Sequence, residues 1–229
     1  MKIIGKIYTD FPEKFGIPRQ SGLVEELEGK IILEPEYRQP EAFKGLEDYE
    51  YIWLLFIFSK ALNDNFHATV KPPRLGGNTP MGVFATRSPF RPNNIGMSSV
   101  KLERIEYDKA LGPILIVKGA DILDQTPIID IKPYLPYTDS HPNAKAGFAD
   151  TVKNYKLNVT FSDNLGSEKL SLIPENKKSG LLGLLAEDPR PGYSKDDVKE
   201  YGIAFCNINI RFIVKDNILT VTDITPQKP

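Results

Sequence analysis

Short runs of β-branched and aromatic residues, each cut off by Gly, Pro, Asn or Asp, fill the first two-thirds of this 229-residue chain. Residues 2–8, 22–34, 51–58, 82–86, 97–107 and 113–119 read as strands on that basis. Over residues 100–107 apolar side chains mostly alternate with charged ones, the pattern of a strand with one wet face. The longest apolar run is residues 51–58. A membrane helix needs roughly 20 such residues, so this run reads as a buried strand, and no membrane association is expected. Helical periodicity is scarce, with one short helix expected over residues 39–44 before Gly45. Many strands and few helices imply an antiparallel barrel or sandwich.

The pattern changes after a polar connector at residues 137–154. Residues 155–161 read as a strand and 174–187 as a helix, with Leu181, Leu182, Leu184 and Leu185 inward. Pro174 suits its first turn and Pro189 its stop. Residues 202–215 and 218–224 read as a hairpin across Asp216-Asn217, a pair that tolerates the positive φ of a tight turn. The expected organisation is mainly β: a β-barrel domain over residues 1–140 and a small α+β domain over 150–229.

Composition removes several classes. One cysteine, Cys206, makes no intramolecular disulfide, and with two histidines no Cys/His zinc cluster can be assembled. No metal is expected, and a reducing, cytoplasmic location is. The first residues are too short and interrupted for a secretory leader. The net charge of −1 argues against nucleic-acid binding over the whole surface. Its distribution is uneven, however. No acid lies between Asp64 and Glu103, where Lys71, Arg74, Arg87, Arg91 and Lys101 fall. Such a window suits a site that receives an anion, although cations clustered in loops would look the same.

Three segments differ from ordinary connectors. The first is Gly16-Ile17-Pro18-Arg19-Gln20-Ser21-Gly22. The second joins Pro72-Pro73-Arg74-Leu75-Gly76-Gly77-Asn78 to Arg87-Ser88-Pro89-Phe90-Arg91-Pro92-Asn93-Asn94-Ile95-Gly96. The third is Gly119-Ala120-Asp121-Ile122-Leu123-Asp124-Gln125-Thr126-Pro127, continued by Asp130-Ile131-Lys132-Pro133-Tyr134-Leu135-Pro136-Tyr137. Proline-stiffened loops dense in Arg, Asn and Asp can present fixed hydrogen-bonding groups to a ligand; they can equally shape turns. Familiar signatures are missing: the glycines at 76–77 make neither a dinucleotide fingerprint nor a P-loop, and residues 96–100 lack the second glycine of a nucleophile elbow. His67 and His141 read as surface residues, and Cys206 as a small core residue.

These same segments carry a resemblance. Ile17-Pro18-Arg19-Gln20, residues 71–78, Met81-Gly82-Val83-Phe84-Ala85-Thr86-Arg87-Ser88-Pro89-Phe90-Arg91-Pro92-Asn93, residues 130–136 and Asp188-Pro189-Arg190-Pro191 resemble, in order, the signature stretches of the TrmO (YaeB/TsaA-like) family. Ser21 stands where that family often has proline, and Asn94 where proline or a small residue is common. The resemblance implies a single-sheet β-barrel that binds S-adenosyl-L-methionine, usually as a homodimer. It also implies methylation of N6 of threonylcarbamoyl-adenosine, at position 37 beside the tRNA anticodon.

By that analogy Pro18, Arg19, Gln20, Phe58, Ser59, Arg87, Met97, Leu123, Asp124, Gln125 and Thr126 bind the cofactor. Arg74, Phe90, Arg91, Asn93, Asp130, Lys132 and Tyr134 face the anticodon loop, and Arg190 and Tyr193 reach the tRNA body. Methyl transfer needs alignment more than acid–base work. No general base stands out; Asp124 or Asp130 is the candidate acceptor of the N6 proton. Two other readings fit the residues: an RNA-binding barrel without catalysis, and a methyltransferase for another substrate.

Overall fold

The computed structural model describes residues 1–61, 66–72, 75, 79–151, 155–190 and 199–227. Six strands close a barrel: β1 (Gly5–Tyr8), β2 (Glu28–Leu33), β3 (Tyr51–Ile57), β6 (Ile95–Asp108), β7 (Gly112–Lys118) and β8 (Thr126–Pro133). Their order is β1-β2-β7-β6-β3-β8, and every neighbouring pair is antiparallel. The two-residue strands β4 (Thr69–Val70) and β5 (Met81–Gly82) pair beside it.

The chemistry of the strands follows from closure. In β3, Ile52, Leu54 and Phe56 point into the barrel, while Tyr51, Trp53, Leu55 and Ile57 are half-buried outside. Both faces are thus covered, which is why the run is apolar without alternation. Trp53 Nε1–H donates to Asp139 Oδ2 at 2.8 Å, and Tyr134 leans on the Trp53 ring at 5.5 Å. In β6 the inward positions are Gly96, Ser98, Val100 and Leu102. Gly96 pairs with Phe56, whose ring fills the space a Cβ would occupy.

A second sheet, β10-β11-β12-β9, is built from β9 (Asn158–Phe161), β10 (Tyr201–Phe205), β11 (Ile208–Lys215) and β12 (Ile218–Pro226). β9 joins β12 in parallel; the other pairs are antiparallel. Two short helices, α1 (Pro136–Asp139) and α2 (Ser167–Leu170), precede α3 (Lys178–Ala186), which buries Leu181, Leu184 and Leu185. This second core also takes Phe11, Val24 and Leu27 from the segment between β1 and β2. Gly180 and Gly183 let α3 lie against Leu27 and Val24.

The mainly β barrel with a smaller α+β part agrees with the sequence reading, but several elements differ. Residues 22–27 are not strand: their apolar side chains serve the second core, and β2 begins at Glu28. Residues 83–85 form a 3-10 turn after β5. The stretch 126–133, read as loop, is the strand that closes the barrel. Leu182 is half-exposed, and α3 starts at Lys178 after a separate 3-10 turn. Cys206 is not in a strand. It shares with Asn207 a tight turn at φ 48° and 61°, and Asp216-Asn217 make a like turn at 48° and 64°. Both turns have the two positive φ values of type I′ hairpins.

Candidate functional site

Antiparallel closure decides which loops meet. β1, β3 and β7 end, and β2, β6 and β8 begin, at the same rim of the barrel. The segments 9–27, 58–94 and 119–125 all leave from that rim. They contain the expected cofactor residues Pro18, Arg19, Gln20, Phe58, Ser59, Arg87, Leu123, Asp124 and Gln125, with Thr126 and Met97 just inside the adjoining strands.

Hydrogen bonds tie these loops together. Arg87 Nη1–H donates to Gln20 Oε1, joining the second segment to the first. Gly22 N–H donates to the Gly119 carbonyl at 2.9 Å, joining the first to the third. Gly119 has φ +73°, and a Cβ there would press on the Gly22 backbone, so glycine suits this crossing. Thr9 N–H donates to Asp124 Oδ1 and Asp124 N–H to the Phe11 carbonyl, both at 2.9 Å. Thr126 Oγ1–H caps the Leu123 carbonyl at 2.7 Å, leaving Gln125 exposed at φ 59°. Phe58 is half-buried, with its ring edge-on to Phe56 at 5.1 Å. Phe58 N–H donates to the Asn94 carbonyl at 2.8 Å, while Asn94 Nδ2 spans the Ala61 and Pro89 carbonyls.

Two polar residues at this junction escaped the sequence reading. Ser98 Oγ–H donates to Asp121 Oδ1 at 2.6 Å, and the Ser21 N–H lies close enough to favour the Asp121 carboxylate. Burial pushes the Asp121 carboxyl above the usual range, against the opposing pull of Ser98, its own N–H, Arg87 and Ser21. The available signal was register: alternation in β6 puts Ser98 inward, a polar position among apolar ones. Met97, its neighbour, faces outward and is 55% exposed.

Other expected residues stand elsewhere or are differently engaged. Arg19 is turned toward the segment after α3, its Nη2 donating to the Asp188 and Arg190 carbonyls at 3.2 Å each. Arg91 Nη1 holds the Val83 and Thr86 carbonyls at 3.0 and 2.8 Å, with its guanidinium 5.6 Å from the Phe84 ring centre. Phe90 and Asn93 are exposed on the same loop. Arg190 grips the Asp188 carboxylate with two bonds, 2.8 and 3.0 Å, so its charge is spent within the fold. Asp130 and Lys132 pair with each other at 3.0 Å along β8. Tyr134 packs on Tyr51 and Trp53 beyond the far end of that strand. At about 3.3 Å per residue, Tyr134 is roughly 25 Å along the chain from Thr126. The rim and Tyr134 therefore do not share one small pocket. Arg74 and Tyr193 lie outside the described residues.

Groups that could hold a cofactor with a carboxylate, an amine and an adenine stand at this rim: the Arg87 guanidinium, the Gln20 and Gln125 amides and the Phe58 ring. Among the described residues no group of three or more His, Cys, Asp or Glu could hold a metal ion, and no helix is long and apolar enough to cross a membrane.

Two family models match the chain. The tRNA-methyltransferase O N-terminal domain covers residues 6–140, and the TrmO C-terminal domain covers residues 154–227. The chain is 40% identical to the tRNA (adenine(37)-N6)-methyltransferase of Escherichia coli (strain K12), over 98% of this chain and 97% of that protein. It is 38% identical to a putative S-adenosylmethionine-dependent methyltransferase, RcsF, of Pseudomonas aeruginosa, over 96% and 95%. A crystal structure of TrmO from Pseudomonas aeruginosa superposes with a TM-score of 0.76 at 32% identity, covering 97% of each chain.

Proposed function

The chain belongs to the tRNA-methyltransferase O family, and on that premise we propose that it is an S-adenosylmethionine-dependent tRNA (adenine-N6)-methyltransferase. Its substrate is threonylcarbamoyl-adenosine at position 37, beside the anticodon. The observation that carries the reading is the single barrel rim where the three loops meet, in a chain that matches its methyltransferase relatives from end to end.

When bound, the cofactor supplies an electrophilic methyl group. The chain's own residues bind and orient. Arg87 neutralises the cofactor carboxylate, held in place by Gln20. Gln125 presents its exposed amide to the adenine, and Phe58 offers its half-buried ring beside it. Phe90 and Asn93, on the loop that Arg91 braces, meet the substrate base and its carbamoyl edge. A base stacked on Phe90 would gain about 1–3 kcal/mol. Asp124 holds its loop through Oδ1 on the Thr9 N–H and stands beside Gln125 at the cofactor; methyl transfer needs alignment, so positioning supplies most of the acceleration.

Residues 1–140 act as the cofactor-binding domain and 150–229 as an accessory that contacts the tRNA body; a homodimer in the cytoplasm belongs to the same proposal. The test is mass spectrometry of nucleosides from tRNA incubated with protein and S-adenosylmethionine. A methyl group on N6 of threonylcarbamoyl-adenosine is expected. A mark on another base would change the substrate. Cofactor binding with no mark on any tRNA would point to a different acceptor.

A further inference from the structure

We propose that Asp121 is a positioning residue for the cofactor site: its ionised carboxylate gathers the three loops into the geometry that binds S-adenosylmethionine. The proposal rests on the cofactor reading of the rim.

Asp121 follows Gly119 and Ala120 just beyond the end of β7, beneath the crossing of the 9–27 and 119–125 segments. It is half-buried, and each structure that converges here sends it a donor or a charge. From β6 comes the Ser98 hydroxyl at 2.6 Å, and from the first loop the Ser21 N–H. From the second loop comes the positive field of Arg87, whose guanidinium also fixes Gln20. One carboxylate therefore touches or attracts a member of every loop that holds an expected cofactor residue. Removing its charge removes the attraction on Arg87 and Ser21 together, and with it a restraint on the Arg87–Gln20 pair.

The energetics separate positioning from fold maintenance. Burial raises the Asp121 carboxyl above its usual range, so its folded-state pKa exceeds the unfolded one. A group shifted that way favours the fold at low pH, and the contribution is lost as pH rises through the folded pKa. Above that folded pKa the ionised carboxylate thus costs stability relative to its protonated form. The groups that face it, the Ser98 hydroxyl and the Ser21 N–H, are donors that suit a carboxylate. An ionised acid in this place fits a cost tolerated for function.

The experiment is calorimetric titration with S-adenosylmethionine, paired with thermal unfolding, on wild type, Asp121→Asn and Ser98→Ala. Asp121→Asn is expected to bind about tenfold more weakly near neutral pH, the scale of a lost charge-assisted contact, while its unfolding midpoint stays level or rises. Ser98→Ala removes a donor that favours the ionised form, so the acid-side loss of affinity should move to higher pH. Affinity in that variant should recover as the pH is raised further. Wild-type affinity in Asp121→Asn would overturn the proposal. So would a Ser98→Ala defect of equal size at every pH, which marks a structural role. If Asp121→Asn does not fold, the pH profile of Ser98→Ala decides alone. Wild-type protein that binds no cofactor would instead overturn the functional reading on which the proposal rests.

Discussion

Gly96→Ala offers a sharp perturbation of the barrel because the added carbon has nowhere to go. A Cβ at Gly96 would sit 2.2 Å from Phe56 Cε2, 2.3 Å from Cζ and 2.8 Å from Cδ2. Carbon atoms rest at about 3.5–4.0 Å, so the ring or the strand must move by more than about 1 Å. Neither gives easily. Phe56 is 3% exposed and held edge-on by Phe58, and Gly96 is fixed opposite it in the β3–β6 ladder. Gly96 does not have positive φ, so alanine brings no backbone strain of its own. Overpacking of this kind costs about 1–3 kcal/mol, and such a severe overlap belongs at the upper end. The lower entropy of the unfolded alanine chain returns about 0.4–1 kcal/mol. A net loss of about 2 kcal/mol lowers the midpoint of a domain this size by about 4–8 °C. Thermal unfolding followed by circular dichroism measures it. Phe56→Leu in the Gly96→Ala background should recover part of the loss, giving a positive coupling in the double-mutant cycle. The reasoning is refuted if Gly96→Ala melts within about 1 °C of wild type, or if Phe56→Leu adds its own full cost on top.

Arg91→Ala should abolish tRNA methylation while cofactor affinity by calorimetry stays within about twofold, since Arg91 braces the substrate loop and not the cofactor wall. Wild-type methylation by this variant would contradict its role. Arg190→Met leaves the half-buried Asp188 carboxylate without its fork and should destabilise by about 2 kcal/mol in urea unfolding. Deleting residues 150–229 exposes Phe11, Val24 and Leu27, so the truncated barrel should lose cofactor binding even where its strands persist; tight binding by a folded fragment would refute this. The Leu135 N–H and Trp53 Nε1–H hold the Asp139 carboxyl below its usual range. A depressed folded pKa means stability present above the unfolded pKa and lost as pH falls through the folded one. Asp139→Asn should therefore melt below wild type at neutral pH, and the gap should close under strongly acidic conditions.

The barrel was legible where strands obey simple rules. The 51–58 run and the alternation around residues 100–107 yielded β3 and β6 almost to the residue. β8 was hidden by Pro127 and Pro133, which usually signal turns; here they stand near the two ends of the strand, where a missing N–H is tolerated. The strand misplaced at 22–27 failed for a different reason. Leu23, Val24 and Leu27 are apolar because they face the second core, a destination that only tertiary structure reveals. Proline, arginine and asparagine density found the three loops, and closure of the barrel brought them together. The same density could not tell a ligand-facing arginine from a loop brace. Arg91 and Arg190 are occupied by carbonyls and a carboxylate a few residues away, whereas Arg87 reaches across loops to Gln20. Asp121 and Ser98 carry little signal alone and gain meaning only as neighbours.

Titration of wild-type protein and Arg87→Ala with S-adenosylmethionine tests the central claim most directly. The account predicts saturable binding to the wild type and affinity at least about tenfold lower without the Arg87 guanidinium, with both proteins equally folded. A folded wild type that takes up no cofactor, or an Arg87→Ala variant that binds as tightly, would contradict a cofactor site at this rim.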